Sequence, residues 1–364
     1  MLTVLDTLTA AGVGFGEFLH ERFSADEVNA FVKAYVKINA DWATNELGKP
    51  MMPAVSEVPY RRASPSNFVT RYEIAGGQLR VIGTTTQAPG LRGVFATEFV
   101  FHADRPEIEI VLTLDKAAEP LPEAGWIALP FALENPHFRM ARLGSVVDPA
   151  KDLVPGSNRH LFALDGGVAV TDPSGAGIGV CALDSPLVSL GAPGCWKYST
   201  ADFPRDATVY VNLFNNQWTT NFRLWNEGTW TTRVRLWPIA AGADNEAALV
   251  TPSLEARYPL LAAFVDAPAG AHPARARGLE VSNRGTLVTA FGANPDGPGT
   301  LLRVWELAGR TAVCDVRLPE GHRLTRVQPV DLRGRPQSEP RSLQDGAVRL
   351  PLRGFAPGSV VLEP

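Results

Sequence analysis

After Pro53 the chain is a succession of short apolar or alternating runs separated by turn signals, and this restricts the fold more than any other feature. Glycine and proline mark the breaks, and the whole chain contains 33 glycines and 30 prolines. Runs of this length, without a helical period between them, are typical of antiparallel β-sandwiches. The predicted strands of this region are 68–74, 79–85, 95–101, 107–114, 167–171, 178–183, 208–214 and 231–238.

A second group of strands follows a segment rich in Gly, Pro, Ala and Arg at 268–278, which is typical of a linker or long loop. Seven strands in about 90 residues predict a smaller, compact β-sandwich. These strands are 279–282, 286–291, 300–307, 312–317, 323–329, 347–351 and 359–362. We therefore expect three parts: a helical segment at 1–50, a large β super-sandwich at 51–262 and a C-terminal β-sandwich at 263–364.

One helix is predicted before the strands begin. Ser24 and Glu27 have the spacing of a capping box, in which each side chain bonds an unpaired backbone N–H of the other. Apolar residues follow at helical spacing, and Gly48 with Pro50 ends the pattern, so the prediction is a helix over 24–47 with one buried face. A second short helix, broken by glycines, is predicted within 2–20. No other helix offers an apolar face to pack on 24–47.

Composition excludes several classes of protein. Lys plus Arg number 34 and Asp plus Glu 38, so the net charge of −4 creates no basic field for nucleic acid or an anionic membrane. No apolar stretch is long enough to span a bilayer, and the first 18 residues lack the charge pattern of a signal peptide. We expect a cytoplasmic protein whose three cysteines are buried thiols; export would allow Cys181 and Cys195 to pair.

Few catalytic patterns occur. His102-Ala103-Asp104 has a metal-like spacing but leads into a turn, so a surface histidine beside a turn aspartate is the preferred interpretation. No zinc-protease, phosphate-loop, dinucleotide or serine-hydrolase motif is present. The sequence therefore predicts no metal site and no catalytic residue in this chain.

Aromatic and amide side chains are concentrated between Tyr210 and Trp237. This stretch contains four of the eight tryptophans, interleaved with asparagines. Flat aromatic faces and amide groups are what a sugar needs for stacking and hydrogen bonding. The alternative is that the aromatics form the sandwich core and the asparagines hold turns, and the sequence favours neither.

The segment Asn-Asn-Gln-Trp-Thr-Thr-Asn-Phe at 215–222 resembles the N-N-x-W-x-T-N-F segment in the C-terminal β region of family 38 α-mannosidases. Further segments resemble the same region in the same order, across about 310 residues. These are 99–133, with a Leu-Pro-Phe turn at 129–131, then 155–159, 168–190, 301–310, 331–332 and 350–362.

The resemblance implies a mutarotase-like super-sandwich followed by a smaller sandwich. It also implies that helix 24–47 is the end of a helical bundle, onto which an N-terminal catalytic domain or chain docks. The zinc and the aspartate nucleophile of the family lie in that domain, which has no equivalent here, so no catalytic residue is transferred. The candidate carbohydrate-binding residues are Asn158, Arg159, Asn216, Trp218, Asn221 and Trp225.

Three functions remain open at this point. The first is the C-terminal β portion of an α-mannosidase-like glycoside hydrolase, which supports hydrolysis together with a catalytic domain outside this chain. The second is a stand-alone carbohydrate-binding or structural β protein. The third is a mutarotase-like epimerase, which requires a histidine and a carboxylate at the sugar ring; His160 with Asp165 or Asp184 are the candidates.

Overall fold

A computed structural model of the chain describes residues 12–36, 58–200, 204, 206–218, 222–264, 270 and 275–364. It divides into two compact units. The first contains residues 1–140 and 147–243, and the second contains 141–146 and 244–364. The sequence predicted a boundary at 262/263, whereas the second unit begins at Asp244 and includes the helical segment that follows.

The first unit contains one helix and fifteen strands among the described residues. In chain order they are β1 (Glu17–Arg22), α1 (Ala25–Tyr35), β2 (Arg62–Ala63), β3 (Val69–Ala75), β4 (Gln78–Thr85), β5 (Leu91–His102), β6 (Ile108–Lys116), β7 (Glu123–Leu129), β8 (His137–Arg142), β9 (Ser145–Val147), β10 (Phe162–Ala163), β11 (Val168–Thr171), β12 (Gly177–Ala182), β13 (Leu187–Leu190), β14 (Val209–Asn215) and β15 (Gly228–Ile239). The last residues of β8 and the first of β9 belong to the second unit by their contacts.

Two sheets form the large sandwich. The nine-stranded sheet has the order β3-β4-β5-β6-β15-β12-β11-β8-β9, and the six-stranded sheet has the order β10-β13-β14-β7-β1-β2. Side chains of both sheets meet in one apolar core, which includes Phe18, Leu112, Ile127, Val168 and Val209. Burial of such a core is the main favourable contribution to folding.

A second apolar cluster covers the opposite face of the six-stranded sheet. Leu19 of β1 and Trp126 of β7 pack there against Phe31 of α1 and against Trp196. Residues along a strand alternate between faces, and here both faces are covered, so all seven residues of β7 are buried. Among the described residues, the buried face of the helix therefore packs on this sheet.

The second unit is a smaller β-sandwich. A π-helical turn, Glu246–Val250, runs into α2 (Thr251–Arg257), and eight strands follow: β16 (Glu280–Val281), β17 (Thr286–Ala293), β18 (Thr300–Glu306), β19 (Ala312–Arg317), β20 (Arg326–Val330), β21 (Arg341–Ser342), β22 (Ala347–Leu352) and β23 (Pro357–Glu363). Sheets β16-β19-β22 and β17-β18-β23-β20-β21 enclose a core that includes Leu302, Val316 and Val360.

The predicted fold class is confirmed: the protein is mainly β, with a large sandwich followed by a smaller one. Two local predictions were wrong. Residues 17–20, which fall in the short helix predicted within 2–20, belong to strand β1 (Glu17–Arg22), because this strand pairs with β7 along its whole length. Helix α1 has the predicted capping box but ends at Tyr35, and the rest of the predicted 24–47 lies, from residue 37 on, outside the described residues.

The three cysteines are buried, and none of them is in a disulfide. Within the described ranges, no helix is long and apolar enough to cross a membrane.

Candidate functional site

A cavity of about 690 Å³ opens in the first unit beside helix α1. Its walls come from α1, from residues 159–160 and from the segment 190–199, which are far apart in the sequence. Charged, aromatic and hydroxyl side chains line it together, namely Glu27, Arg61, Arg159, Trp196, Lys197, Tyr198 and Asp206. A volume of roughly 300–1,000 Å³ with a few converging polar groups is typical of small-molecule sites.

Helix α1 forms one wall because its apolar face is seated on the sheet. Val28, Phe31 and Val32 are buried, at 6%, 3% and 6% exposure. The ring of Phe31 lies 5.7 Å from that of Trp196, edge to face. The sequence left this face without a partner inside the chain, and the reason is now clear: its partner is a sheet face. The buried face of Ala25–Tyr35 is thus occupied by the sheet, and the docking of a catalytic domain on this helix stays a prediction.

A network of ion pairs holds the helix to the sheet. The buried carboxylate of Glu21 accepts hydrogen bonds from Arg61 and Arg62, each at 3.0 Å, and from the Trp126 indole N–H at 3.0 Å. Arg61 also donates to Glu27 at 2.6 Å. The network contains two guanidinium groups and two carboxylates. Of these only Glu21 is buried, and its charge is compensated by both arginines.

Two neighbouring segments carry the remaining cations of the cavity. The backbone N–H of Arg159 donates to the Ser199 carbonyl at 3.1 Å, and the Asn158 amide donates to the Lys197 carbonyl at 3.3 Å. Tyr198 donates its hydroxyl to the Gly156 carbonyl at 3.2 Å. These bonds position Arg159 and Lys197 in adjacent backbone segments at the same cavity.

Burial lowers the pKa of Lys197, and the nearby Arg62 and Arg61 lower it further, while Glu21 raises it. The charge of this ammonium is thus stabilised less than in water. Beneath it, Cys195 is buried among apolar groups, which raises the pKa of its thiol well above the usual value. Cys195 is consequently an inert core residue.

The predicted binding residues are distributed over three environments. Arg159 lines the cavity and Asn158 supports it. Trp218 is half-buried and packs on the rings of Phe31 and Tyr35, at 5.8 and 5.3 Å. Asn221 lies outside the described residues.

Asn216 is 2% exposed and serves the backbone. Its amide donates to the carbonyls of Glu119, Leu121 and Leu224, and its oxygen accepts from the Glu123 N–H. The side chain therefore has no donor left for a ligand in this conformation.

The other tryptophans of the aromatic stretch do not line the cavity. Trp225 is half-buried and donates to Glu227 at 3.3 Å. Trp230 packs against the main core, and Trp237 is 7% exposed and lies against Gly179. Most of the aromatic side chains from Tyr210 to Trp237 thus pack within the sandwich.

A buried polar cluster was not found from the sequence. His20, Lys116 and Glu123 are each 0% exposed. His20 Nε2 lies 3.1 Å from Glu123 Oε2, and its Nδ1 lies 2.9 Å from the Tyr60 hydroxyl. Lys116 Nζ lies 2.7 Å from the other oxygen of Glu123. Burial lowers the pKa of His20 although Glu123 acts to raise it.

This cluster contains a histidine and a carboxylate, but it is sealed. Gly90, at φ +73°, lies directly against the His20 ring, and a Cβ there would approach within 2.5 Å of Nε2. Glycine is thus required both by the backbone conformation and by the close contact. With no exposed atom, the group acts as a structural network within the core.

Of the histidines and carboxylates that the sequence singled out, His160 lines the cavity, whereas Asp184 and His102 have other neighbours. Asp184 forms a two-bond ion pair with Arg233, at 2.8 and 3.0 Å. His102 lies at an exposed hairpin next to Arg105 and Gln78. In the part of the chain that the structure describes, no three His, Cys, Asp or Glu side chains are grouped to hold a metal ion.

Comparison with known proteins gives matches in structure only. No protein-family model and no curated protein matches the sequence. A glycosyl hydrolase family 38 protein from Enterococcus faecalis aligns at a TM-score of 0.59 and 12% identity, over 83% of this chain and 38% of that chain. An alpha-mannosidase from Enterococcus faecalis V583 aligns at 0.60 and 12%, over 83% and 36%. The chain has the fold of part of a family 38 glycoside hydrolase.

The chain spans little more than a third of the length of these two structures. A galactose mutarotase related enzyme from Lactobacillus acidophilus aligns over 48% of this chain and 72% of that chain, at 10% identity and a TM-score of 0.29. At 12% identity, the two family 38 alignments establish the fold alone.

Proposed function

We propose that this chain is the β portion of an α-mannosidase-like glycoside hydrolase, and that it binds carbohydrate in the cavity beside α1. Hydrolysis is assigned to a catalytic domain outside this chain. The observation that supports this most is the alignment of 83% of the chain with just over a third of the two family 38 structures.

The lining of the cavity suits a sugar. Arg159 and Lys197 provide donors, Asp206 provides an acceptor, and the half-buried ring of Tyr198 provides aromatic surface. Trp196 and Phe31 are only 4% and 3% exposed and leave little of their rings open to a ligand. Sugars combine hydroxyl groups with apolar C–H faces, so a mixed lining of this kind matches both. At about 690 Å³, the cavity has the volume of an ordinary ligand site.

Zinc is expected in the catalytic domain that the resemblance implies. The described residues do not fit such a metal, because they provide no group of three potential ligands. No step of the hydrolytic reaction is therefore assigned to this chain. Its role in the proposal is to bind and orient the sugar.

The test is calorimetric titration of the purified chain with α-mannobiose, beside an assay of 4-nitrophenyl α-mannoside hydrolysis. We expect binding without hydrolysis. Arg159→Ala should weaken the Kd at least about fivefold, since a charge-assisted hydrogen bond contributes roughly 1.5–3 kcal/mol. Arg92→Ala is the matched control: its guanidinium pairs with Asp115 away from the cavity, so the Kd should not change.

Absence of binding by the wild-type chain, or equal affinity of the Arg159→Ala and Arg92→Ala variants, would contradict the proposed site. Turnover by the purified chain would contradict the assignment of catalysis to another domain.

A stand-alone carbohydrate-binding protein is the second candidate. It rests on the same cavity of about 690 Å³, in which charged and polar side chains converge. A complete binding module should hold α-mannobiose with a Kd well below about 1 mM, whereas a portion that only completes a site elsewhere should bind more weakly. The same titration therefore separates the two functions.

A further inference from the structure

Among the described residues, strand β3 is an edge of the nine-stranded sheet. It hydrogen-bonds to β4 on one side, and its other side ends the sheet. All seven residues are exposed, with Val69 at 72%, Tyr72 at 66% and Ile74 at 84%. Proteins usually block such an edge with charged side chains, proline, a bulge or a very short strand. Here the two charged side chains, Arg71 and Glu73, have opposite signs, the strand has no proline or lysine, and its register with β4 is regular throughout.

We propose that β3 pairs with β3 of a second copy of this chain, antiparallel and in register, so that the two nine-stranded sheets become continuous across a twofold axis at Tyr72. This interaction does not depend on sugar binding.

The charges on β3 select this register. Across a twofold axis perpendicular to the sheet, one residue must lie opposite its own copy. With Tyr72 at that position, Arg71 lies opposite the second copy's Glu73, and Glu73 lies opposite its Arg71. Opposite charges that face each other across strands are stabilising.

Neighbouring registers are disfavoured. Moving the axis by one residue places either Arg71 opposite Arg71 or Glu73 opposite Glu73, and like charges in that position are destabilising. The register centred on Tyr72 also pairs the full strand, with Val69 opposite Ala75 and Thr70 opposite Ile74. Within one copy, Arg71 Nε already lies 3.1 Å from Glu73 Oε1 on the same face. Pairing would therefore bring together two arginines and two glutamates of alternating sign.

The occupant is a second copy because the strand is complementary to itself. A different protein would need to supply its own matching strand, whereas a second β3 presents the required charges and the same exposed apolar side chains. Pairing removes unpaired edge N–H and C=O groups from both copies at once.

The first test is sedimentation velocity of the full chain over a range of concentrations. The wild type should dimerise. Arg71→Glu and Glu73→Arg should each weaken the dimer at least about tenfold, since each places like charges opposite each other twice. The double variant, with both charges exchanged, restores opposite pairs and should recover the wild-type Kd within about threefold.

The second test locates the axis by disulfide formation. Residues opposite each other in antiparallel strands have Cα atoms about 4.5–5.5 Å apart, which suits a disulfide. Tyr72→Cys should therefore form a covalent dimer under mild oxidation. Ile74→Cys is the matched control, because its copy would lie roughly 13 Å away at about 3.4 Å per residue. The three native cysteines are buried and should not interfere.

A monomeric wild type overturns the proposal. So do single variants that dimerise like the wild type, a double variant that does not recover, or equal oxidation of the Tyr72→Cys and Ile74→Cys chains.

Discussion

At the scale of single residues, the buried polar group around His20 links the stability of the protein to pH. His20 is enclosed by Glu123, Tyr60, Lys116 and Arg22, and burial is the largest influence on its pKa. The folded state therefore favours neutral imidazole more strongly than the unfolded chain does.

This predicts a loss of stability in mild acid. Since the pKa of His20 is lower in the folded protein than in the unfolded chain, the unfolded state takes up the proton first as pH falls. The associated stability is complete above the unfolded pKa of about 6.5 and is lost as pH falls from there toward the folded pKa. His20→Gln does not titrate, so its free energy of unfolding should fall less between pH 7.5 and 5.5.

The measurement is urea unfolding of both proteins at several pH values, which cancels the titration of carboxylates common to the two. Equal pH dependence of the wild type and His20→Gln would contradict the assigned role of His20.

At the scale of secondary structure elements, local sequence signals set where α1 begins, and tertiary packing determines what its buried face contacts. The capping box of Ser24 and Glu27 sets where the helix begins, as predicted, and both of its hydrogen bonds are present. The apolar stripe also predicted which face is buried. Its binding surface could not be predicted, because that surface is the outer face of β1 and β7.

Phe31 tests the contribution of this packing. Phe31→Ala should lower the free energy of unfolding by about 3–5 kcal/mol, as for other buried aromatic truncations. Lys33→Ala, on the exposed face of the same helix, should change it by less than about 0.5 kcal/mol. Chemical denaturation followed by circular dichroism measures both. Similar losses for the two variants would mean that α1 is held by its propensity and not by its buried face.

The strands also differ in whether the local sequence or tertiary packing determines them. Alternating runs predicted most of the long strands to within a few residues, since one face of each alternates toward the core. Several strands were missed, among them β8 and β13, and for β1 and β7 the reasons differ. All of β7 is buried, so it does not alternate, and β1 contains His20 and Glu21, whose partners lie about 100 residues away.

The candidate site was predictable only in part, because its residues come from distant segments of the chain. Asn158 and Arg159 were found through a resemblance, whereas Trp196, Lys197 and Tyr198 follow a Pro-Gly turn with no recognisable motif. A cavity assembled from three distant segments leaves no periodic signal in any of them.

At the scale of the whole molecule, the boundary of the second unit has a measurable consequence. Glu246 lies beside Arg284 and Arg310, at 3.4 and 3.6 Å, and the following Leu249 is buried. A fragment of 244–364 contains both of the smaller sheets and this helical segment, so we expect it to unfold cooperatively.

A fragment of 263–364 lacks that segment and should be less stable by roughly 2 kcal/mol or more, since a buried leucine alone contributes about that much. Trp305 is the single tryptophan of both fragments and reports unfolding by fluorescence. Equal stability of the two fragments would instead favour the boundary at 262/263.

The other edge of the nine-stranded sheet limits the size of the assembly that pairing through β3 can form. There the sheet ends in β9, which has three residues, against seven in β3. Of the two edges of the nine-stranded sheet, β3 is the longer, and twofold pairing occupies it. Association of this kind stops at two subunits, so raising the concentration should saturate a dimer and not seed filaments.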